Sequence, residues 1–324
     1  GAIFAMSVTP YINASIIMQL LTVAIPPLER IAKEGEEGQK RIAKYTRFAT
    51  VILGLIQGTA YYFYLKNSQY LYYDEGFSGI FAAIIIILCF TAGSAIMMWL
   101  GEQIDDKGIG NGISILLFAG IISRGPSAFA SLYYSLKNGQ YVQVISICIA
   151  FLAVIAFIVF MTAAERRIPV QYAKKMQGRK MVGGQSSSIP LKVNTAGVIP
   201  VIFASSLMSM PSIVAAFMGR GNGNGIGSKI LKGLSQQNWF SLSNPVYTLG
   251  FVLYAVMIVF FAYFYTSITF NPIEVADNMK KQGGFIPGIR PGKPTQDYLE
   301  KILNYIIFIG AIGLLIVCTI PIVF

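Results

Sequence analysis

The chain has 324 residues, 55 % of them hydrophobic and only 12 % charged, with a mean hydropathy of +0.62. A soluble domain carries about 25 % charged residues, so this composition excludes a water-coated globular protein and describes an integral membrane protein. The formal net charge of +11 invites a nucleic-acid reading, but the charges fall between the hydrophobic runs, where membrane topology places them.

A bilayer crossing takes about 20 apolar residues, fewer where a helix is short or broken. Eight stretches qualify, approximately 2–26, 47–65, 77–100, 109–123, 142–164, 193–218, 246–270 and 302–324. The first starts with the sequence and the last ends with it, so both edges read as cuts. The fourth is short and is broken at Gly125-Pro126. The intervening loops 26–47, 101–108, 165–192 and 271–301 hold 19 lysines and arginines, against five in 67–76, 124–141 and 219–245. That bias places the first set in the cytosol. Tyr61, Tyr62, Tyr64, Tyr70, Tyr72 and Tyr73 surround the first outer loop as interfacial anchors. The outer loop 219–228 (GRGNGNGIGS) reads as a solvated connector, and Trp239 with Phe240 as a short interfacial segment.

Apart from Arg47, which opens the second, the spans hold no Asp, Glu, Lys or Arg, and 233–273 has none over its whole length. Proton-coupled carriers need intramembrane ionisable groups, so that class is disfavoured. The chain has no histidine, and it lacks HExxH and paired membrane aspartates, which argues against intramembrane proteolysis. Cys89, Cys148 and Cys318 are far apart in apolar runs and read as packing residues, with no metal site or cofactor. Gly108-Ile-Gly110-Asn-Gly112 follows a helix, not a strand, so it is no dinucleotide fingerprint. Gly288-Ile-Arg-Pro-Gly292-Lys293 lacks both the first glycine and the Ser/Thr of a phosphate loop. No catalytic residues are expected, and nucleotide chemistry would have to come from a partner.

What remains are candidate breaks at membrane depth: Pro10 and Asn13, Gly108 to Gly112, Pro200 and Pro211. Each alone fits a kinked helix in a packed bundle; together they favour a gated path. The inner loops add a second theme. Arg166, Arg167, Lys174, Lys175, Arg179 and Lys180 face no acid after Glu165, and Pro169, Gly178, Gly183 and Gly184 suggest a shaped projection. Such a run suits anionic lipid, RNA or an acidic protein surface. Arg290 sits between two Gly/Pro elements that would hold it in a fixed turn.

The stretches MSVTPYINASIIMQLLTVAIPPLERIAKEGEEG (6–38), GEQIDDKGIGNGIS (101–114), ERRIPVQYAKK with QSSSIPLKVNTAGVIP (165–200) and FNPIEVADNMKKQGGFIPGIRPG (270–292) closely resemble the bacterial SecY family. The resemblance covers nearly the whole chain. It implies an all-α polytopic membrane helix bundle of two inverted halves, here 1–141 and 142–324. It also implies that the first span, the plug helix and the tenth span lie outside this sequence. By the same resemblance Val8, Ile12, Ile113, Leu117 and Ile202 match an aliphatic pore ring, with Val8 where isoleucine is commoner. Gln19 and Asn194 match polar positions at a lateral gate. Arg166, Arg167, Lys174, Lys175, Arg179, Lys180 and Arg290 match loops that receive the SecA ATPase motor or the ribosome, through rRNA. Further implied partners are the SecE and SecG subunits, a translocating preprotein with its signal peptide, and membrane lipids. The implied function is a passive protein-conducting channel in the bacterial plasma membrane. A small-solute transporter and a non-transporting ribosome-binding scaffold are the alternatives.

Overall fold

The computed structural model describes residues 3–72, 76–110, 112–173, 175–177, 180–182, 186–217, 226–234, 239 and 247–323, with backbone alone at 175–177, 180–182, 215–217 and 323. The chain divides into two compact units, Gly1–Val144 with Ser205–Asn238, and Ile145–Ala204 with Trp239–Phe324. Six described helical stretches are long and apolar enough to cross a membrane, or seven if a bent pair near the start is one span.

In the first unit α1 (Thr9–Ala24) and α2 (Pro26–Lys33) form that bent pair, turned by 102°. The elbow is Ile25, held extended (φ −110°, ψ 111°) because two prolines follow it and the residue before a proline avoids helical backbone. Then come α3 (Glu36–Asn67), α4 (Gly76–Lys107), α5 (Gly112–Ile122) and α6 (Gly125–Lys137). Both α3 and α4 are 32 residues long, so α3 begins in the charged loop well before the apolar run expected from 47. Helix α1 packs on α3, α3 on α4 and α4 on α5. The α3–α4 seam runs past Gly54 and Gly58, where any added Cβ would lie 3.5 Å from Thr91 and Ile87. Without a hydrophobic force between helices in lipid, such small residues permit close backbone approach. Thr46, Thr50 and Thr91 are buried there and return their hydroxyls to the carbonyls of Ile42, Thr46 and Ile87, whereas Ser94 Oγ on α4 is buried without a partner.

In the second unit α7 (Tyr141–Ala163) leads into a ribbon of β1 (Glu165–Tyr172) and β4 (Ser186–Lys192), capped by the short pair β2 (Lys175–Gln177) and β3 (Lys180–Val182). Strands β1 and β4 are antiparallel from Glu165↔Lys192 to Gln171↔Ser186. The projection expected at 165–192 is therefore made of strands. Helix α8 (Ile199–Phe217) starts in this unit, and α9 (Ile226–Leu234) belongs to the first. The chain closes with α10 (Thr248–Thr269), α11 (Pro272–Lys281), β5 (Gly284–Phe285) and α12 (Lys293–Val323). Strand β5 pairs with the end of β1, giving a sheet in the order β4-β1-β5. Alternation along β1 sends Ile168 and Val170 inward, onto a core shared with Leu191, Ala276, Met279, Ile286 and Leu299. A second cluster, Ala262, Leu303, Ile307 and Ala311, joins α10 to α12. Trp239 is fully buried against Phe251 and Tyr254, so it is a core residue of this unit and not an interfacial anchor. Phe240, Tyr73 and 219–225 lie outside the described residues.

Candidate functional site

Two helices that begin at points of chain reversal carry the expected ring residues of the first unit. Val8 stands at the N-cap of α1 and its carbonyl accepts from Ile12 N–H at 3.0 Å. Pro10 falls in the first turn, where its missing N–H costs nothing; it starts the helix and does not break it. Val8 and Ile12, four residues apart and so on one face, are 2 % and 9 % exposed. Ile113 and Leu117 repeat that spacing on α5 and are half-buried. The start of α5 is fixed by Asp105, whose Oδ1 accepts from Gly112 N–H at 2.6 Å. A Cβ on Gly112 would fall 2.0 Å from the Gly101 carbonyl oxygen, so the α4–α5 turn closes only around glycine. Helix α4 packs on both α1 and α5. The cytosolic ends of α3 and α4 are tied by Arg47 Nε to Glu102 Oε1 at 2.7 Å, an exposed pair worth about 0.2–1 kcal/mol. On α2 the Glu29 carboxyl is held below its usual range by the hydrogen bond and charge of Lys33.

Amides cluster on the buried side of α1 and α3. Asn13 is 1 % exposed with both side-chain polar atoms unpartnered, and Gln57 Nε2 and Gln19 Oε1 are buried without partners as well. A buried amide without a hydrogen bond costs about 1–3 kcal/mol per polar group, so these three are the costly polar groups of α1 and α3. Gln57 lines a cavity of about 480 Å³ with Met6, Thr9, Tyr61, Ser209 and Ser212. The sequence reading passed over Gln57; the available signal was a lone amide in the run VILGLIQGTAYYF.

In the second unit Ile202 lies in the first turn of α8, half-buried, beside buried Phe203 and Ala204. Pro200 again starts its helix; Pro211 is the one inside α8. Phe203 meets Phe261 of α10 edge-on at 5.6 Å. Asn194 is half-buried and borders a cavity of about 230 Å³ with Thr162, Gly197 and Leu314. Gln19 and the other four expected ring residues belong to the first unit.

The basic residues of the second unit sit on and around its sheet. Arg166 and Arg167 are exposed on β1, and Arg167 pairs with Glu165 at 2.6 Å. Lys175 and Lys180 occupy the β2–β3 pair, two register steps apart; Lys174 and Arg179 lie outside the described residues. Arg290 is exposed in the turn before α12. Gly288 and Gly292 flank it at φ +85° and +103°, backbone that only glycine adopts freely. Its carbonyl accepts the hydroxyl of buried Thr295 at 2.8 Å. The residues on this face that sequence reasoning missed are Thr295 and β5, which fasten the Arg290 turn to the basic ribbon.

The sequence model of the SecY family matches residues 2–324. Protein translocase subunit SecY of Streptomyces galbus is 47 % identical over 98 % of this chain and 72 % of its own length. A solved channel in which the SecY plug domain stabilises the closed state aligns over 98 % of this chain and 78 % of its own, with TM-score 0.70 and 20 % identity. Sec61 in the canine ribosome-channel complex gives 0.63 and 19 % identity over 98 % of this chain and 78 % of its own.

Proposed function

The chain belongs to the SecY family, and from that premise we propose how its residues divide the work of a protein-conducting channel. It is the pore-forming subunit of a protein translocation channel and a multi-pass membrane protein. Val8, Ile12, Ile113, Leu117 and Ile202 form the constriction. Apolar side chains at a narrow point dewet it, which stops ions yet yields to a polypeptide. The observation that carries this reading is the construction of α1 and α5: two short helices of 16 and 11 residues, each with an aliphatic pair at its N-terminal end, Val8 at the N-cap and Ile12 in α1, Ile113 and Leu117 in α5. Residues 1–141 and 142–324 act as the two halves, and Gln19 with Asn194 forms a closed-state latch worth about 1 kcal/mol. Opening there releases hydrophobic segments sideways into the bacterial plasma membrane.

The ribbon at 165–192 and the Arg290 turn receive the partner that supplies energy, either a ribosome, as the Sec61 complex above binds, or the SecA motor. SecE and SecG complete the assembly, the preprotein with its signal peptide is the cargo, and the chain itself performs no catalysis. Neither a small-solute carrier nor a silent scaffold is favoured by any observation. Two experiments test the reading. Arg290→Glu is expected to abolish SecA-driven export of a preprotein while the channel still inserts; normal export would remove the docking assignment. A stalled translocating chain is expected to crosslink to cysteine at Ile12 or Ile202, and failure at both would point to a scaffold.

A further inference from the structure

Helices α10 and α12 leave a groove of about 440 Å³ at their cytosolic ends, within the size range of small-ligand sites. Its walls are Phe260, Phe264, Leu303 and Ile307. Tyr263 crosses its floor, donating to the carbonyl of Asn304 at 3.1 Å. One edge is polar: Gln296, Glu300 and Asn304 follow at four-residue spacing on α12 and so line one face. Among the described residues no lysine or arginine lines the groove, although Lys280, Lys281, Lys293 and Lys301 are exposed in the surrounding loop and helix ends. Glu300 is exposed and has no ion-pair partner among the described residues.

We propose that this groove holds one phospholipid with a primary-amine headgroup from the cytosolic leaflet. The depth follows from the inner loops before and after the groove, which carry the cations that face the cytosol. An acyl chain fits the aromatic and aliphatic wall. The ammonium donates to the Glu300 carboxylate and to the side-chain oxygens of Gln296 and Asn304, while their amide N–H groups face the phosphate. Charge complementarity selects the occupant. The loops around the groove draw anionic lipids in general, but a lone carboxylate without a cation repels an anionic headgroup at this spot. A choline headgroup carries the charge without a proton to donate.

The test uses the full chain in vesicles of equal parts phosphatidylethanolamine, phosphatidylglycerol and phosphatidylcholine. The protein is released into mild detergent and its bound lipids are counted by native mass spectrometry. Phosphatidylethanolamine is expected to be retained over phosphatidylglycerol by roughly tenfold, the scale of one charge-assisted hydrogen bond. Glu300→Gln removes the preference and Glu300→Lys turns it toward phosphatidylglycerol; Glu300 is exposed, so both variants fold. Unchanged retention in Glu300→Gln, or a wild-type preference for phosphatidylglycerol, overturns the proposal. So does a photo-crosslinker at Ser267 that captures a protein segment and no lipid.

Discussion

Thr295 is 1 % exposed, yet the residue whose backbone it holds, Arg290, stands in solvent. Replacing a buried hydroxyl by a methyl group of the same shape removes one hydrogen bond, about 1 kcal/mol, and leaves the Arg290 carbonyl without that donor. Thr295→Val is therefore expected to reduce SecA-driven export several-fold while barely moving the melting temperature. Thr295→Ser keeps the hydroxyl and should restore most of the rate. Equal export in the two variants would show that the turn needs no such anchor. The sequence showed Arg290 between Gly/Pro elements, and those glycines do take the left-handed backbone. It could not show Thr295, because an isolated threonine near a helix start has many uses and only the fold points this one back at residue 290. Gln57 is the opposite case: it was legible as the lone amide of its span, but its burial needed the fold.

At the level of elements, hydropathy located six of the eight expected crossings, or seven if the bent α1–α2 pair is one span, because bilayer thickness fixes their length; in the stretch 193–218 the apolar helix Ile199–Val214 is shorter. It was blind to the ends of α3, where helix continues into charged sequence, and to α8, which starts at Ile199 because Pro200 suits a first turn. The basic stretch 165–192 carried an alternating signal, with Ile168, Val170 and Tyr172 on one face. Pro169 and Pro190 masked it, since proline speaks against a central strand; a ribbon tolerates both, and Pro190 pairs across with Arg167. The α4–α5 turn offers a sharper test. Gly112→Ala puts a methyl group 2.0 Å from a backbone oxygen that no rotamer can relieve, so α5 must slide away from α4. Overpacking of that kind costs about 1–3 kcal/mol, to be read as a drop in the melting temperature of the detergent-solubilised protein. An unchanged melting temperature would mean the turn has slack elsewhere.

For the molecule as a whole, the function rests on keeping a conduit for polypeptides closed to ions. If the aliphatic ring does so by dewetting, hydroxyls at Ile12 and Ile113 together should let water stay. The double variant Ile12→Ser with Ile113→Ser is expected to raise the resting ion conductance of reconstituted bilayers several-fold, and wild-type conductance would place the barrier elsewhere. Charge asymmetry and span count made the membrane-channel class readable, whereas the pairing of β5 with β1 was invisible, being a contact across most of one half. That pairing has a consequence in time. Gln171 finds its partner Phe285 only after more than a hundred further residues have been made, roughly 5–20 seconds at usual elongation rates. Until then the basic ribbon stands in the cytosol with β1 unpaired along its far edge. A newborn chain thus leaves the Gln171–Tyr172 end of that edge open, and the finished one closes it with Gly284 and Phe285.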